Sequence, residues 1–371
     1  MSKAERYITG ILSDVAGVEV GGTRPWDISV RDKRTYGRVL TRGTLGLGES
    51  YMDGWWDAEN IDQFIHRLLV SDIKARIPVD VALWGSMAKA ALLNLQRLRV
   101  FEVAEKHYDA GNDLYRAMLD KRMVYSCGYW PEAANLDEAQ EHKFDLICRK
   151  AGLEPGMRIL DIGSGWGGFL KFAAENYGVE AVGVTISKEQ YNLSREICAG
   201  LPIDIRLEDY QALGGQFDRV ISIGMFEHVG YKNYRRYMQK VHDLLADDGL
   251  FILHTIGGNH TVNHGDPWSE KYIFPNGMLP SQQQLSSASE GLFIMEDWHN
   301  FGADYDRTLM EWHRNFEAAW PELAPHYNER FYRMWRYYLL SFAATFRARK
   351  IQLWQVVYSK QGVVGGYRSV R

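Results

Sequence analysis

Asp161-Ile162-Gly163-Ser164-Gly165-Trp166-Gly167-Gly168 joins an apolar run that opens at Met157 to a helical pattern running through Asn176. Glycines at such a junction let the backbone turn tightly and approach a ligand with no Cβ in the way. The loop therefore reads as the nucleotide-type turn that follows the first strand of an α/β domain. Outward from it the alternation continues. Strands are expected over residues 157–163, 181–186, 203–207, 219–224 and 250–256, with helices over 188–198 and 233–245. This βαβα order implies a doubly wound, mostly parallel sheet of Rossmann-like type, with ligands beyond the carboxyl ends of its strands. Residues 258–280 are too irregular for a plain crossover and read as an insertion over the site. The tail carries helical patterns at about 306–320 and 326–348, then a last strand at 353–358.

The loop also selects a ligand. A dinucleotide site expects an acidic residue about 20 positions on, where it would hold a ribose. Here that place holds Thr185-Ile186-Ser187, while Asp161 lies just before the first glycine. Both points favour S-adenosylmethionine over a nicotinamide dinucleotide. The loop by itself indicates methyl transfer and leaves the acceptor open.

Composition narrows the class further. The 371 residues are 46% hydrophobic and 24% charged, as in an ordinary globular protein, with length for two domains. A net charge of -4 speaks against a nucleic-acid role driven by bulk charge. Residues 1–100 hold 14 Lys/Arg against 12 Asp/Glu, so they carry +2 and the remainder -6. Cys127, Cys148 and Cys198 have no metal-ligand spacing, and no metal site is expected. The opening Met1-Ser2-Lys3-Ala4-Glu5-Arg6 has no apolar signal region, which implies a cytoplasmic protein with reduced thiols. No apolar run reaches the ~18 residues needed to span a bilayer, so any membrane contact is expected at the surface. Residues 81–101 contain Lys89, Arg97 and Arg99 and no acid, with an apolar stripe through Trp84, Ala88, Ala91 and Leu95. Such a helix suits an anionic lipid surface or packing on its own domain. The expected organisation is an N-terminal domain at 1–85, a linker at 86–105 and a catalytic domain at 106–371.

Five segments name an acceptor. They are Gly46-Leu47-Gly48-Glu49-Ser50-Tyr51-Met52-Asp53-Gly54-Trp55-Trp56, His107-Tyr108-Asp109-Ala110-Gly111-Asn112-Asp113 and Tyr125-Ser126-Cys127-Gly128-Tyr129-Trp130, followed by Ser222-Ile223-Gly224-Met225-Phe226-Glu227-His228-Val229-Gly230 and Lys271-Tyr272-Ile273-Phe274-Pro275-Asn276-Gly277. In this order they resemble the cyclopropane-fatty-acyl-phospholipid synthases and, more distantly, the mycolic-acid cyclopropane synthases and methyltransferases. The resemblance runs from about residue 35 to 358 and takes in the N-terminal motif, which the mycolic-acid relatives lack. It implies a small lipid-binding domain before the methyltransferase domain. Tyr125, Ser126, Gly163, Gly165, Trp166, Thr185, Gln190, Asp209 and Tyr210 would bind S-adenosylmethionine. Cys127, Glu227, His254, Ile256 and Tyr305 would hold a bicarbonate ion. The partners implied are unsaturated acyl chains at the inner face of a phospholipid bilayer and a second copy of the chain as a homodimer. One departure is Ser164, where the family often has Cys.

The implied chemistry fits these residue types. An alkene is a weak nucleophile, so methylation from a sulfonium approaches a carbocation that must lose a proton to close a three-membered ring. Water would trap that cation, and the site must exclude it. A small anion can take the proton and stabilise the charge. Tyr305 and His254 can donate to such an anion, Cys127 and Ile256 can offer backbone groups, and Glu227 can accept its hydroxyl proton. His228 is expected to point elsewhere, and the Cys127 thiol is expected not to be a nucleophile. Tyr272, Phe274, Tyr305, Trp312, Phe316, Tyr337 and Tyr338 are candidates to line an acyl channel. Rival readings are a methyltransferase giving a methyl-branched chain, a small-molecule N- or O-methyltransferase, and a non-catalytic binding module.

Overall fold

The computed structural model describes residues 1–71, 73 and 111–371. The basic helix expected at 81–101, the linker at 86–105 and residues 107–110 of the second motif lie outside them. The described residues fall into two compact units. One combines the N-terminal residues with Asn263–Pro275 and Tyr305–Ile351; the other takes residues 111 to 262, Asn276–Asp304 and Gln352–Arg371. Two segments read from sequence as catalytic-domain tail and insertion thus belong to the N-terminal unit.

That unit is mostly helical, with helices Lys3–Ile11, Arg34–Met52 and Ile61–Val70 around a two-stranded pair, β1 (Ser29–Val30) and β2 (Trp56–Asp57). Its later helices are Pro267–Tyr272, most of Ala303–Leu323 and Glu329–Arg347, and the first and last of these are tied to the N-terminal motif by charge. Buried Arg333 donates from Nε to the Tyr51 carbonyl at 2.6 Å, from Nη2 to the Trp56 carbonyl at 3.0 Å and from Nη1 to Asp57 at 3.1 Å. Its guanidinium also lies 3.9 Å from the centre of the Tyr51 ring. Buried Glu49 accepts from Lys271 at 2.7 Å, Tyr272 at 2.9 Å and Arg42 at 2.6 Å. Gly48 is required by close approach, since a Cβ there would stand 2.4 Å from the Trp268 indole. The candidate channel aromatics Tyr337, Tyr338, Trp312 and Phe316 are buried in this unit.

The second unit is built on a seven-stranded sheet: β3 (Arg158–Ile162), β4 (Glu180–Thr185), β5 (Ile203–Leu207), β6 (Phe217–Ile223), β7 (Leu245–Gly258), β8 (Ile294–Asn300) and β9 (Ile351–Ser359). The order is β5-β4-β3-β6-β7-β9-β8. Pairings β3–β4, β4–β5, β3–β6 and β6–β7 are parallel, and β8–β9 is antiparallel. The side-chain period of two sends alternate residues to opposite faces. Leu160, Ile162, Val184, Val220 and Phe251 join one apolar cluster, while Ile159, Ala181, Ile221 and Ile252 join the other. Both faces are therefore buried, as a doubly wound parallel sheet requires. The five expected strands, the last strand and the helices Gly168–Tyr177, Lys188–Ile197 and Tyr234–Leu244 are present within a few residues of the sequence reading. Strand β8 and helix Leu136–Ala151 had no counterpart in it. Among the described residues no helix is long and apolar enough to cross a membrane.

Replacing Arg333 by Met would take the side-chain donor from the Trp56 carbonyl, from Asp57 and from the Tyr51 carbonyl, which keeps the Gly54 amide at 2.9 Å. The expected loss is about 2–3 kcal/mol of stability, read by thermal or denaturant unfolding. Lys at this position should recover less than half of it, because one ammonium cannot span three divergent acceptors.

Candidate active site

Strand order reverses between β4 and β6 on either side of β3, and this is where an open α/β sheet leaves a crevice at its carboxyl edge. A cleft opens there, with about 1500 Å³ of empty space including its mouth. It is lined by the ends of β3, β4 and β6 and by the segment after β5. Tyr125, Ser126, Gly163, Gly165, Trp166, Thr185, Gln190, Asp209 and Tyr210, expected from sequence as the cofactor residues, all line it.

Local rules place each of them. Gly163 has φ +85°, and a Cβ there would lie 2.9 Å from Met225, so the turn admits glycine alone. Trp166 is anchored by donating from Nε1 to Asn112 at 3.1 Å and by packing against Tyr115, which meets Tyr125 edge-on. Thr185 ends β4 and donates to Gln190 Oε1 at 2.8 Å, while the Ser187 side chain caps the next helix by accepting from the Gln190 amide. Asp209 accepts from the Gln211 amide at 2.9 Å, which holds its carboxylate at the turn after β5. Tyr210 packs edge-on against buried Tyr237.

Beneath Ser126 lies a feature that motif reading missed. Wholly buried Lys143 donates to the Ser126 hydroxyl at 2.8 Å, and Gln140 donates to its carbonyl at 2.8 Å. Burial pulls the Lys143 ammonium down to about 7, with the Asp120 carboxylate opposing. Asp161 also lines the cleft, and burial pushes its carboxyl up to about 7. The sequence signal for Lys143 was a lysine on the apolar face of a helix, which needs the three-dimensional neighbour to become meaningful. Met225, His228 and Arg236 line the cleft as well.

The second expected set is placed unevenly. Glu227 and His228 share the one-turn 3₁₀ helix Phe226–His228, where consecutive side chains diverge by a third of a turn. His228 faces the cleft, and burial drives its imidazole down to about 4. Glu227 turns to β7 and accepts the Ile256 amide on Oε1 at 2.7 Å. Its Oε2 is buried with no hydrogen-bond partner among the described residues. His254 and Ile256 stand two apart on β7 and so share a face. The Nε2 of His254 is likewise buried and unpartnered there, and burial holds its imidazole well below the ordinary range. Cys127 is buried, its thiol 3.2 Å from the Gly128 carbonyl. The Ile256 amide is engaged by Glu227 rather than presented to a ligand. Tyr305 belongs to the other compact unit, stacked on Phe346 at 4.4 Å.

Burial raises the Glu227 carboxyl from an ordinary value of 4.5 to about 7, partly opposed by the Ile256 amide. A raised acid pKa stabilises the fold below the unfolded value and loses that contribution as pH rises through the folded one. The stability of wild type relative to Glu227→Gln, measured without ligands by denaturant titration, should therefore fall between about pH 4.5 and 7 and level off above. A difference that stays constant across this window would place the carboxyl in a wetter site than its burial indicates.

Comparison with known proteins follows the same outline. A family model described as mycolic acid cyclopropane synthetase matches residues 96–356. The cyclopropane-fatty-acyl-phospholipid synthase of Escherichia coli K12 is 52% identical over 98% of this chain and 95% of its own. The tuberculostearic acid methyltransferase UfaA1 of Mycobacterium tuberculosis is 31% identical over 88% of this chain and 81% of its own. The crystal structure of mycolic acid cyclopropane synthase CmaA1 complexed with SAH and CTAB superposes with a TM-score of 0.66 at 33% identity, covering 70% of this chain and 98% of that one. A Rossmann-like sheet with the glycine turn at its switch point, matched over nearly its full length to such relatives, leaves one assignment: the chain belongs to the cyclopropane-fatty-acyl-phospholipid synthase family of S-adenosylmethionine-dependent methyltransferases.

Proposed function

We propose that the chain adds the methyl carbon of S-adenosylmethionine across a cis double bond of a phospholipid acyl chain, closing a cyclopropane ring, with bicarbonate as the base. The single observation that carries the base is the pair of buried, unpartnered polar atoms, Glu227 Oε2 and His254 Nε2. Buried polar atoms are almost always hydrogen-bonded, and one acceptor together with one imidazole nitrogen suits a small anion that carries a proton of its own. When bound, bicarbonate would supply a base for the departing proton and negative charge beside the developing cation. Glu227 would accept its hydroxyl proton, His254 would donate to it, and Cys127 belongs to the set that the family resemblance implies.

The co-substrate belongs in the β3–β4 cleft. Gly163 and Gly165 give it close backbone approach, Thr185 and Gln190 its ribose hydroxyls, Asp209 and Tyr210 its adenine, and Tyr125 and Ser126 its methionine carboxylate. Lys143 supports the last of these by holding the Ser126 hydroxyl from below. In the reaction the alkene electrons form a bond to the methyl carbon as its bond to sulfur breaks. The electrons of one methyl C–H bond then close the ring as the proton leaves, and S-adenosylhomocysteine departs.

The phospholipid acceptor rests on the similarity to the E. coli enzyme, which extends through the N-terminal unit, whereas the mycolic-acid family model begins at residue 96. That unit is read as the lipid-binding part, engaging a bilayer from its surface, and the working assembly as a homodimer.

Purified protein given S-adenosylmethionine and vesicles of cis-unsaturated phospholipid should yield acyl chains heavier by one CH2. Olefinic protons should be lost and upfield ring protons gained in the proton NMR spectrum. A methyl-branched product would replace this reading with the branching methyltransferase, and no lipid product despite co-substrate binding would overturn the acceptor. Removing bicarbonate should slow wild type, while Cys127→Ala should retain measurable turnover. Complete loss in a folded Cys127→Ala protein that binds S-adenosylmethionine would restore the thiol as a participant.

A further inference from the structure

His254 is the one member of the proposed anion site whose usefulness depends on which ring nitrogen carries the proton. A neutral imidazole donates from one nitrogen and accepts at the other, and the partner of the far nitrogen decides between them. Here the far nitrogen is Nδ1, and Gln355 Nε2 lies 3.2 Å from it. The other end of the same amide, Oε1, accepts from Lys150 Nζ at 2.9 Å. Lys150 donates in addition toward His299 Nδ1 at 3.0 Å, and the Asp297 carboxylate stands 4.0 Å away.

This chain of contacts has a direction. Lys150 directs its N–H groups at two acceptors, Gln355 Oε1 and His299 Nδ1, so it meets the oxygen end of the Gln355 amide. The NH2 end must then face His254 and donate to Nδ1. The imidazole proton is consequently on Nε2, the nitrogen left without a partner among the described residues. Reversing the amide would set NH2 against the lysine N–H groups and would draw the imidazole proton from Nε2 to Nδ1 to meet the carbonyl. Lys150, Gln355 and His254 are 0%, 0% and 1% exposed, so no solvent softens the clash of donors.

We propose that Lys150 and Gln355 are positioning residues that lock His254 in its Nε2–H tautomer, so that it presents a hydrogen-bond donor to the anion. This rests on the reading of His254 as part of the anion site. The three residues come from helix Leu136–Ala151, strand β9 and strand β7, brought together within one compact unit. A burial this complete of a lysine and an amide is costly for packing alone. It has a use if the imidazole must be held in one state during a reaction that releases a proton nearby.

The test reads the tautomer directly. Nitrogen NMR of protein labelled with 15N-histidine, the His254 signals identified by their loss in His254→Gln, should show Nε2 protonated and Nδ1 bare in wild type. Lys150→Met frees the amide to turn and should give a mixture of tautomers. Its kcat should fall by about 10- to 100-fold, the usual effect of losing an outer hydrogen bond that orients an imidazole ligand, with KM for S-adenosylmethionine unchanged. Lys150→Arg keeps a donor and should restore the single tautomer and most of the rate. If Lys150→Met fails to fold, Gln355→Leu asks the same question one link nearer the ring. A wild-type Nδ1–H signal, or a tautomer indifferent to both substitutions, overturns the relay. Turnover independent of bicarbonate in a wild type whose tautomer is still pinned by Lys150 would instead overturn the anion reading and leave the relay standing.

Discussion

Covering both faces of a parallel sheet with apolar side chains leaves its polar chemistry nowhere to go but the strand ends. That constraint organises the catalytic unit. β3, β4, β6 and β7 are buried over most of their lengths, so much of the polar lining of the cleft gathers toward the ends of these strands. The glycine turn follows β3, the Thr185–Gln190 cap follows β4, and Met225 to His228 follow β6. His254 and Ile256 sit at the corresponding height on β7, whose His254 is register partner of Ile223. Two groups of residues far apart in sequence, one facing the cleft and one facing β7, thus become neighbours through sheet register alone.

Much of this was legible in the sequence because it is local. Period-two apolar runs and the turn residues between them located the strands, and the cap that Ser187 makes to the Gln190 amide lies within four residues. Legibility failed where long-range pairing decides. β8 reads Ile-Met-Glu-Asp-Trp-His-Asn, a polar and half-exposed edge strand with a register shift between Met295 and Asp297, so its alternation is broken. The grouping of Asn263–Pro275 with the N-terminal unit depends on Lys271 and Tyr272 meeting Glu49, a contact across more than two hundred residues. Both motifs stood out in the sequence, yet nothing in either one says that they complete each other.

The cofactor residues and the anion residues differed for a related reason. The first group follows from strand ends and helix caps, and all nine line one cleft. The second was visible only by resemblance, since a histidine in an apolar strand reads as core until its neighbours are known. What makes His254 more than core is Gln355, and what makes Gln355 directional is Lys150. Neither of those two carried any signal of its own, being a glutamine in a buried strand and a lysine near a helix end.

The electrostatics of the catalytic unit share one tendency. Burial pushes Glu227 and Asp161 up to about 7 and pulls Lys143 and Lys150 down to about 7. Burial thus disfavours the charged form of all four groups. A strongly anionic wall would pair with the sulfonium and hold it in its ground state, and a cationic wall would repel both sulfonium and carbocation. Neutral walls would favour neither, and keeping water out would protect the cation. With the proposed bicarbonate as base, the charge would arrive with the ligand and the fold need not store it. To the proposed anion site the protein would contribute the unpartnered atoms of Glu227 and His254, one acceptor and one donor, each held in place by a hydrogen bond on its far side.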